Sequence, residues 1–96
     1  MQYQFDDFNS CLNQPFTLEL SDSSVYPLKL ISVDKYPGSA APGVHEPFSV
    51  VFRGDSNTVL DQQIYLIKHC TLDDMELFIV PIGPDDEGMR YEAVFA

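Results

Sequence analysis

Six carboxylates lie between residues 73 and 87, and they are the densest set of side chains in the sequence that could do chemistry. Carboxylate oxygens on flexible loops are the ligands that calcium prefers. However, the spacing lacks the Asp-x-Asp-x-Asp-Gly pattern of a calcium loop, and a predicted strand of about 26 Å separates two acidic triplets. We therefore expect solvated turns, with a structural ion at one of them as the alternative. The carboxylates are Asp73, Asp74, Glu76, Asp85, Asp86 and Glu87.

The soft metal ligands of the sequence are His45, His69, Cys11 and Cys70. They are too few and too irregularly spaced for a structural zinc motif. His69 and Cys70 are adjacent, so in an extended strand their side chains point to opposite faces of the sheet. We expect no metal site here and two reduced, partly buried thiols. The alternative is a disulfide between the two cysteines, which would form if the fold brings them together.

Common catalytic and cofactor-binding motifs are missing from the sequence. It contains no Gly-x-Ser-x-Gly nucleophile elbow, no His-Glu-x-x-His helix and no glycine-rich phosphate loop. Two carboxylates distant in sequence could still meet in the fold, but a domain of 96 residues leaves little volume for a substrate cavity. We therefore expect a non-enzymatic protein without a cofactor.

Arg53 and Glu92 are each a charged residue inside an otherwise apolar segment. A half-buried arginine in a strand is usually tolerated because a carboxylate pairs with it. We predict that Arg53 and Glu92 form a structural ion pair. The functional alternative is a recognition pair on an exposed face.

The net charge of −10, from 15 acidic and 5 basic residues, excludes several classes of partner. Such a molecule repels phosphate backbones and anionic lipid surfaces, and its scattered basic residues form no patch that would overcome the repulsion. We expect neither a nucleic acid nor a membrane as partner. The N-terminal residues lack the features of a secretory signal, and the apolar runs are far shorter than the roughly 20 residues that span a bilayer. A cytoplasmic location is therefore expected.

The hydrophobic pattern predicts one short helix followed by about six strands. Phe5, Phe8 and Leu12 fall on one face of a helix that ends before Pro15. Apolar and polar residues then alternate, which is typical of strands with one buried face. Pro27 lacks an N–H donor, so its end of the strand should lie at an edge or bulge. The predicted strands cover residues 16–20, 28–33, 48–53, 64–69, 75–82 and 89–95.

Short turns join most of these strands, which must then pair antiparallel, because a parallel crossover needs a dozen or more residues. The predicted fold is a single all-β domain over residues 1–96, a small antiparallel sandwich or barrel of about six strands with a short N-terminal helix. Residues 36–46 are rich in proline and glycine and form a long loop, where recognition often occurs. Tyr36, His45 and Glu46 are the interaction-loop candidates.

Three segments carry a resemblance to a known family: PFSVVFRG at residues 47–54, LFIVPIGPD at residues 77–85 and GMRYEAVF at residues 88–95. They resemble an uncharacterised bacterial family of domains of similar length, and the similarity runs through nearly the whole chain. The sequence departs from the family around the turn after the fourth strand, where Gln63, Cys70 and Asp73 stand in place of glycine and proline. The family has no assigned activity, so no catalytic residue is implied. Its members are often encoded beside phage-tail collar proteins, which implies a role in a tail-like particle or its assembly.

The sequence thus predicts a non-enzymatic structural or protein-interaction domain, associated with a phage-tail-like assembly. Its contacts with a protein partner would be made by sheet edges and by the loop over residues 36–46. The alternative is a small-ligand binding module whose ligand lies in a barrel mouth lined by tyrosine and phenylalanine. A calcium-stabilised domain is a third interpretation.

Overall fold

One short helix precedes six strands in the computed structural model, which describes residues 4–35, 47–55 and 59–95. The strands form a closed barrel in the order β1-β2-β3-β6-β5-β4, and each pairs antiparallel with its neighbours. This confirms the predicted fold class and selects the barrel over the sandwich. The elements are α1 (Phe5–Asn9), β1 (Pro15–Glu19), β2 (Val25–Lys35), β3 (Phe48–Gly54), β4 (Gln63–Lys68), β5 (Met75–Pro84) and β6 (Met89–Phe95).

The first helix is shorter than the hydrophobic spacing suggests. It ends at Asn9, and Leu12 is 38% exposed beyond it. The chain turns instead at Asn13, which has a φ of 67° and donates its N–H to the carbonyl of Leu30 at 2.7 Å. This hydrogen bond to β2 leads the chain into β1, so tertiary contacts outweigh the local helical pattern.

The second strand begins earlier than predicted, because residues 25–28 pair with β1. Pro27 lies opposite Thr17, while the pairing of β2 with β3 starts only at Lys29. The missing N–H of Pro27 therefore falls on a part of β2 that β3 does not cover. The prediction that this proline lies at a local edge is confirmed.

The interior of the barrel is filled by alternate side chains from all six strands. A six-stranded barrel is narrow, so side chains of ordinary size are enough to pack its axis. Its largest fully buried side chains are Tyr91, Phe8, Phe16, Phe48, Phe52, Leu18, Leu30, Ile67, Ile79 and Val50. They form one continuous hydrophobic core.

One end of the β3–β6 ladder is covered by the helix and is made of phenylalanines. Phe48 and Phe95 are paired across the two strands with ring centroids 4.7 Å apart, and Phe8 of α1 packs against both. The cost of leaving this aromatic surface in water explains why so short a helix is retained.

The other end of the same ladder, at Gly54 and Met89, is closed by tyrosines. Tyr91 is fully buried, and its hydroxyl accepts a hydrogen bond from the N–H of Leu60 at 2.9 Å. Tyr26 donates to the carbonyl of Asp55 at 3.1 Å. The phenolic oxygens thus satisfy backbone groups of Asp55 and Leu60.

Candidate functional site

Arg53 lies at the centre of an ion-pair cluster on the outside of the barrel. Its Nε donates to both carboxylate oxygens of Asp85, at 2.9 and 3.1 Å, and its Nη1 lies 3.0 Å from a carboxylate oxygen of Glu87. The Arg53 and Asp85 side chains are each about a quarter exposed. We call Arg53, Asp85 and Glu87 the arginine clamp, because they join β3 to the turn between β5 and β6.

The carboxylate of Asp85 also holds its own turn together. Its Oδ1 accepts hydrogen bonds from the N–H groups of Glu87 and Gly88, at 2.9 and 3.0 Å. The Arg53 guanidinium, helped by these two backbone donors, lowers the pKa of Asp85 to about 2. The same contact raises the pKa of Arg53. Asp85 is therefore an anion at every pH near neutrality.

Gly88 fits where a larger residue would not. A Cβ at this position would collide with the carbonyl oxygen of Gly54 across the β3–β6 ladder. The turn of the clamp consequently approaches β3 backbone to backbone, which brings Asp85 within reach of Arg53.

Glu92, the predicted partner of Arg53, lies in β6 opposite Val51 of β3 and Val80 of β5. The residue directly opposite Arg53 is Arg90, whose Nε donates to the carbonyl of Gly83 at 3.2 Å. The carboxylates that the structure gives Arg53 are Asp85 and Glu87, in place of Glu92. Register explains the difference, because the β5–β6 turn folds back over the end of β3 and brings closer carboxylates.

The two acidic triplets are separate in the structure. Asp85 and Glu87 bind Arg53, whereas Asp74 lies near Lys68 at the other end of β5, with 4.0 Å between oxygen and nitrogen. In the part of the chain that the structure describes, no three His, Cys, Asp or Glu side chains are grouped as a metal ion would require.

His69 is held by hydrogen bonds next to the start of β1. Its Nε2 lies 2.7 Å from the Gln14 side-chain oxygen, and its Nδ1 accepts from the N–H groups of Thr71 and Leu72 at 3.1 and 3.3 Å. Because Nδ1 accepts, Nε2 carries the proton and donates to Gln14. The ring also packs against Phe16, with centroids 4.5 Å apart. His69 thus links β1 to the turn after β4.

The two thiols lie in different environments. Cys11 is buried, Cys70 is exposed, and neither forms a disulfide. The expectation of two unpaired thiols agrees with the structure, but only Cys11 is buried. The candidates Tyr36, His45 and Glu46 lie outside the described residues.

A seam in the barrel is the feature that sequence reasoning missed. β4 pairs with β5 along residues 63–67, but with β1 only along residues 66–68. Beyond the last pair, Glu19 with Leu66, the β1 chain turns away into the β1–β2 hairpin. We call the opening between residues 19–23 and residues 63–66 the seam.

The seam forms an open groove of about 390 Å³ on the barrel surface. Ile64, 62% exposed, is an apolar residue on its wall. The sequence carried one signal of this site: β4 has apolar side chains on both faces, since Ile64 and Leu66 alternate with the buried Tyr65 and Ile67. When a strand is apolar on both faces, its outer face exposes hydrophobic surface that another segment or protein can cover. The groove is lined by Glu19, Leu20, Ser21, Ser23, Gln63, Ile64, Tyr65 and Leu66.

These observations define a small antiparallel β-barrel domain with a filled core and a partly open seam. The chain belongs to the family described as domain of unknown function (DUF6916), which matches residues 3–95. No curated protein and no solved structure matches the chain. Within the described ranges, no helix is long and apolar enough to cross a membrane.

Proposed function

We propose that this domain is a non-enzymatic protein-interaction module of a phage-tail-like assembly and that it acts in the cytoplasm. The observation that carries the interaction role is the filled barrel. The core side chains occupy the axis from the phenylalanine end to the tyrosine end. Recognition is therefore assigned to the outer surface and its strand edges. The assembly itself is proposed from the resemblance of three sequence segments.

Two side chains that could do chemistry, Asp85 and His69, have structural contacts, which supports a non-enzymatic role. Asp85 is committed to Arg53 and to its own turn, and His69 is committed to backbone donors and Gln14. A general base or nucleophile needs a free lone pair directed at a substrate. Asp85 and His69 instead make contacts that hold strands and turns together.

The alternative, a small ligand in the barrel mouth, has less support. Such a mouth would be lined by tyrosine and phenylalanine, and the tyrosines Tyr26, Tyr65 and Tyr91 are only 8%, 5% and 0% exposed. Their hydroxyls are hydrogen-bonded to backbone groups. Native mass spectrometry of freshly purified protein tests this alternative, because a tight endogenous ligand would add to the mass of the bare chain.

Co-purification from the native host tests the interaction role. Tagged protein should be recovered with a stoichiometric protein partner, and electron microscopy of the eluate should show tail-like particles that carry it. Recovery of only free monomer, in preparations where the tag is accessible, would overturn the proposal. A stable partner without any particle would retain the interaction role and overturn the link to tails.

A further inference from the structure

We propose that the seam between β1 and β4 binds an extended, basic segment of a partner protein, which adds as a strand to the free edge of β4. This inference rests on the proposed interaction function and names its site and the chemistry of its partner. It is carried by the backbone at the seam, the exposed side chain on its wall, and the charges around it.

The backbone of β1 leaves β4 because the chain turns back at residues 20–23. Continuing the register beyond Glu19 and Leu66 would place Leu20 opposite Tyr65. However, the N–H of Leu20 donates to the carbonyl of Ser24 at 2.8 Å, and its carbonyl accepts from Ser23 at 2.9 Å. The chain thus turns back at residues 20–23 to run beside β1 as β2, so β1 does not continue along residues 63–65 of β4.

The edge of β4 over residues 63–65 is therefore left without a strand partner on the β1 side, among the residues that the structure describes. Backbone groups of a strand point alternately to its two neighbours, so this edge, about 10 Å long, offers hydrogen-bonding groups to the groove. An extended segment from another protein can pair with such an edge, because main-chain hydrogen bonds do not depend on sequence.

The wall of the seam supplies an apolar contact. Ile64 projects from the outer face of β4 and is 62% exposed. Its cross-strand neighbour Phe78, on β5, is 50% exposed. Alternate side chains of an added strand would lie beside Ile64 and cover apolar surface that this chain leaves in water.

The charges around the seam favour a basic partner. Glu19 and Asp22 lie on the β1 side, and Asp61 lies two residues before β4. Hydrogen bonds from Ser24 lower the pKa of Asp22, so it stays ionised. The nearby cation, Lys68, is already bound by Glu19 at 3.2 Å. Lysine or arginine in an added strand would therefore find an excess of carboxylates.

A second copy of this chain fits the seam poorly. Each copy carries a net charge of −10, and both would bring the same acidic surroundings to the interface. The acidic side chains would thus repel a like molecule and attract a basic one. This is the arrangement by which proteins keep exposed strand edges from self-association.

The test uses a synthetic peptide of alternating lysine and valine, titrated into the uniformly ¹⁵N-labelled protein. The largest amide shifts should fall in residues 63–66 and 19–23, and amide hydrogen exchange in residues 63–65 should slow by about tenfold or more when the peptide is bound. Two control peptides separate charge from pairing. One replaces lysine by glutamate, and the other keeps the lysines but has methylated backbone nitrogens.

The matched variants are Ile64→Ala and Val94→Ala, which truncate aliphatic side chains of similar exposure at the seam and on β6. Ile64→Ala should weaken peptide binding by about tenfold, since it removes apolar contact area. Val94→Ala should leave binding unchanged. Both residues are exposed, so thermal melting should show that both variants fold.

Equal binding of the methylated peptide, or amide shifts away from the seam, would overturn strand addition. Tight dimerisation of the protein through residues 63–66, seen by ultracentrifugation and amide shifts, would overturn the choice of a basic partner in favour of a second copy. Neither result decides the interaction function, which the co-purification experiment tests separately. Conversely, if co-purification fails but the peptide binds as expected, the proposed function is overturned. Strand addition at the edge of β4 is then retained.

Discussion

The β3–β6 ladder and the β1–β4 seam are two joints of one barrel, and they are built differently. Seven residue pairs join β3 to β6, from Phe48 and Phe95 to Gly54 and Met89. Only three pairs join β1 to β4. The first joint has stacked phenylalanines at one end and the arginine clamp at the other. The second ends early because β1 turns back into a hairpin at residues 20–23.

The difference shows where this fold keeps its stability and where it keeps free hydrogen-bonding groups. At the first joint, the inward-facing side chains of the paired strands belong to one continuous hydrophobic core. The seam, in contrast, exposes Ile64 and a strand edge next to carboxylates. The packed joint and the proposed recognition site thus lie on different sides of the barrel, and changes at each side should have different consequences.

The largest effect is expected from Phe48→Ala, because Phe48 is fully buried at the phenylalanine end of the first joint. Truncating a buried phenylalanine removes apolar burial and leaves a cavity, so the free energy of unfolding should fall by about 3–5 kcal/mol. Denaturant unfolding measures it. Val94→Ala, in the same ladder but 54% exposed, should cost less than about 1 kcal/mol. Equal losses would contradict the assignment of stability to this core.

Tyr91→Phe comes next and concerns the tyrosine end of the same joint. The change removes the acceptor for the buried N–H of Leu60 and should reduce the free energy of unfolding by about 1–3 kcal/mol. Tyr65→Phe is the control, because the Tyr65 hydroxyl donates to the carbonyl of Asp61 in a half-buried setting. Its loss should be smaller, and a larger one would mean that the tyrosine end is not closed as described.

The arginine clamp should give a smaller effect that depends on pH. The folded-state pKa of Asp85 is about 2, below its value of about 3.9 in an unfolded chain. Its stabilisation is therefore present above about pH 4 and is lost as the pH falls toward 2. Asp85→Asn should lower the melting temperature at pH 7 and flatten its fall between pH 4 and 2. Asp86→Asn, one residue along the turn, should keep the wild-type profile. Identical pH profiles for Asp85→Asn and wild type would contradict the clamp.

A double-mutant cycle separates the carboxylates around Arg53. Losses from Arg53→Ala and Asp85→Ala should not add, because each single change already breaks the contact between the two side chains. Losses from Arg53→Ala and Glu92→Ala should add. Additive losses for Arg53 with Asp85, together with coupling to Glu92, would restore the pairing that the sequence suggested.

Much of the fold could be predicted from sequence because it follows from local patterns. Apolar segments between turn residues located the six strands, and the short turns that join most of them predicted antiparallel pairing. The partner of Arg53 could not be predicted, since it depends on how the β5–β6 turn folds over β3. The seam could not be predicted either, because it depends on where the β1–β2 hairpin turns relative to the end of β4. Helix α1 ended early for a similar reason, a hydrogen bond from Asn13 to the distant Leu30.

The most direct test of the account is amide hydrogen exchange in the free protein, resolved residue by residue by NMR. β3 is flanked by β2 and β6, so the amide of Val50 should be strongly protected. At least one amide in residues 63–65 should face the seam and exchange about a hundredfold faster than that of Val50, although it belongs to a strand. Protection of all three amides to the level of Val50 would show that the seam is closed and would contradict the account.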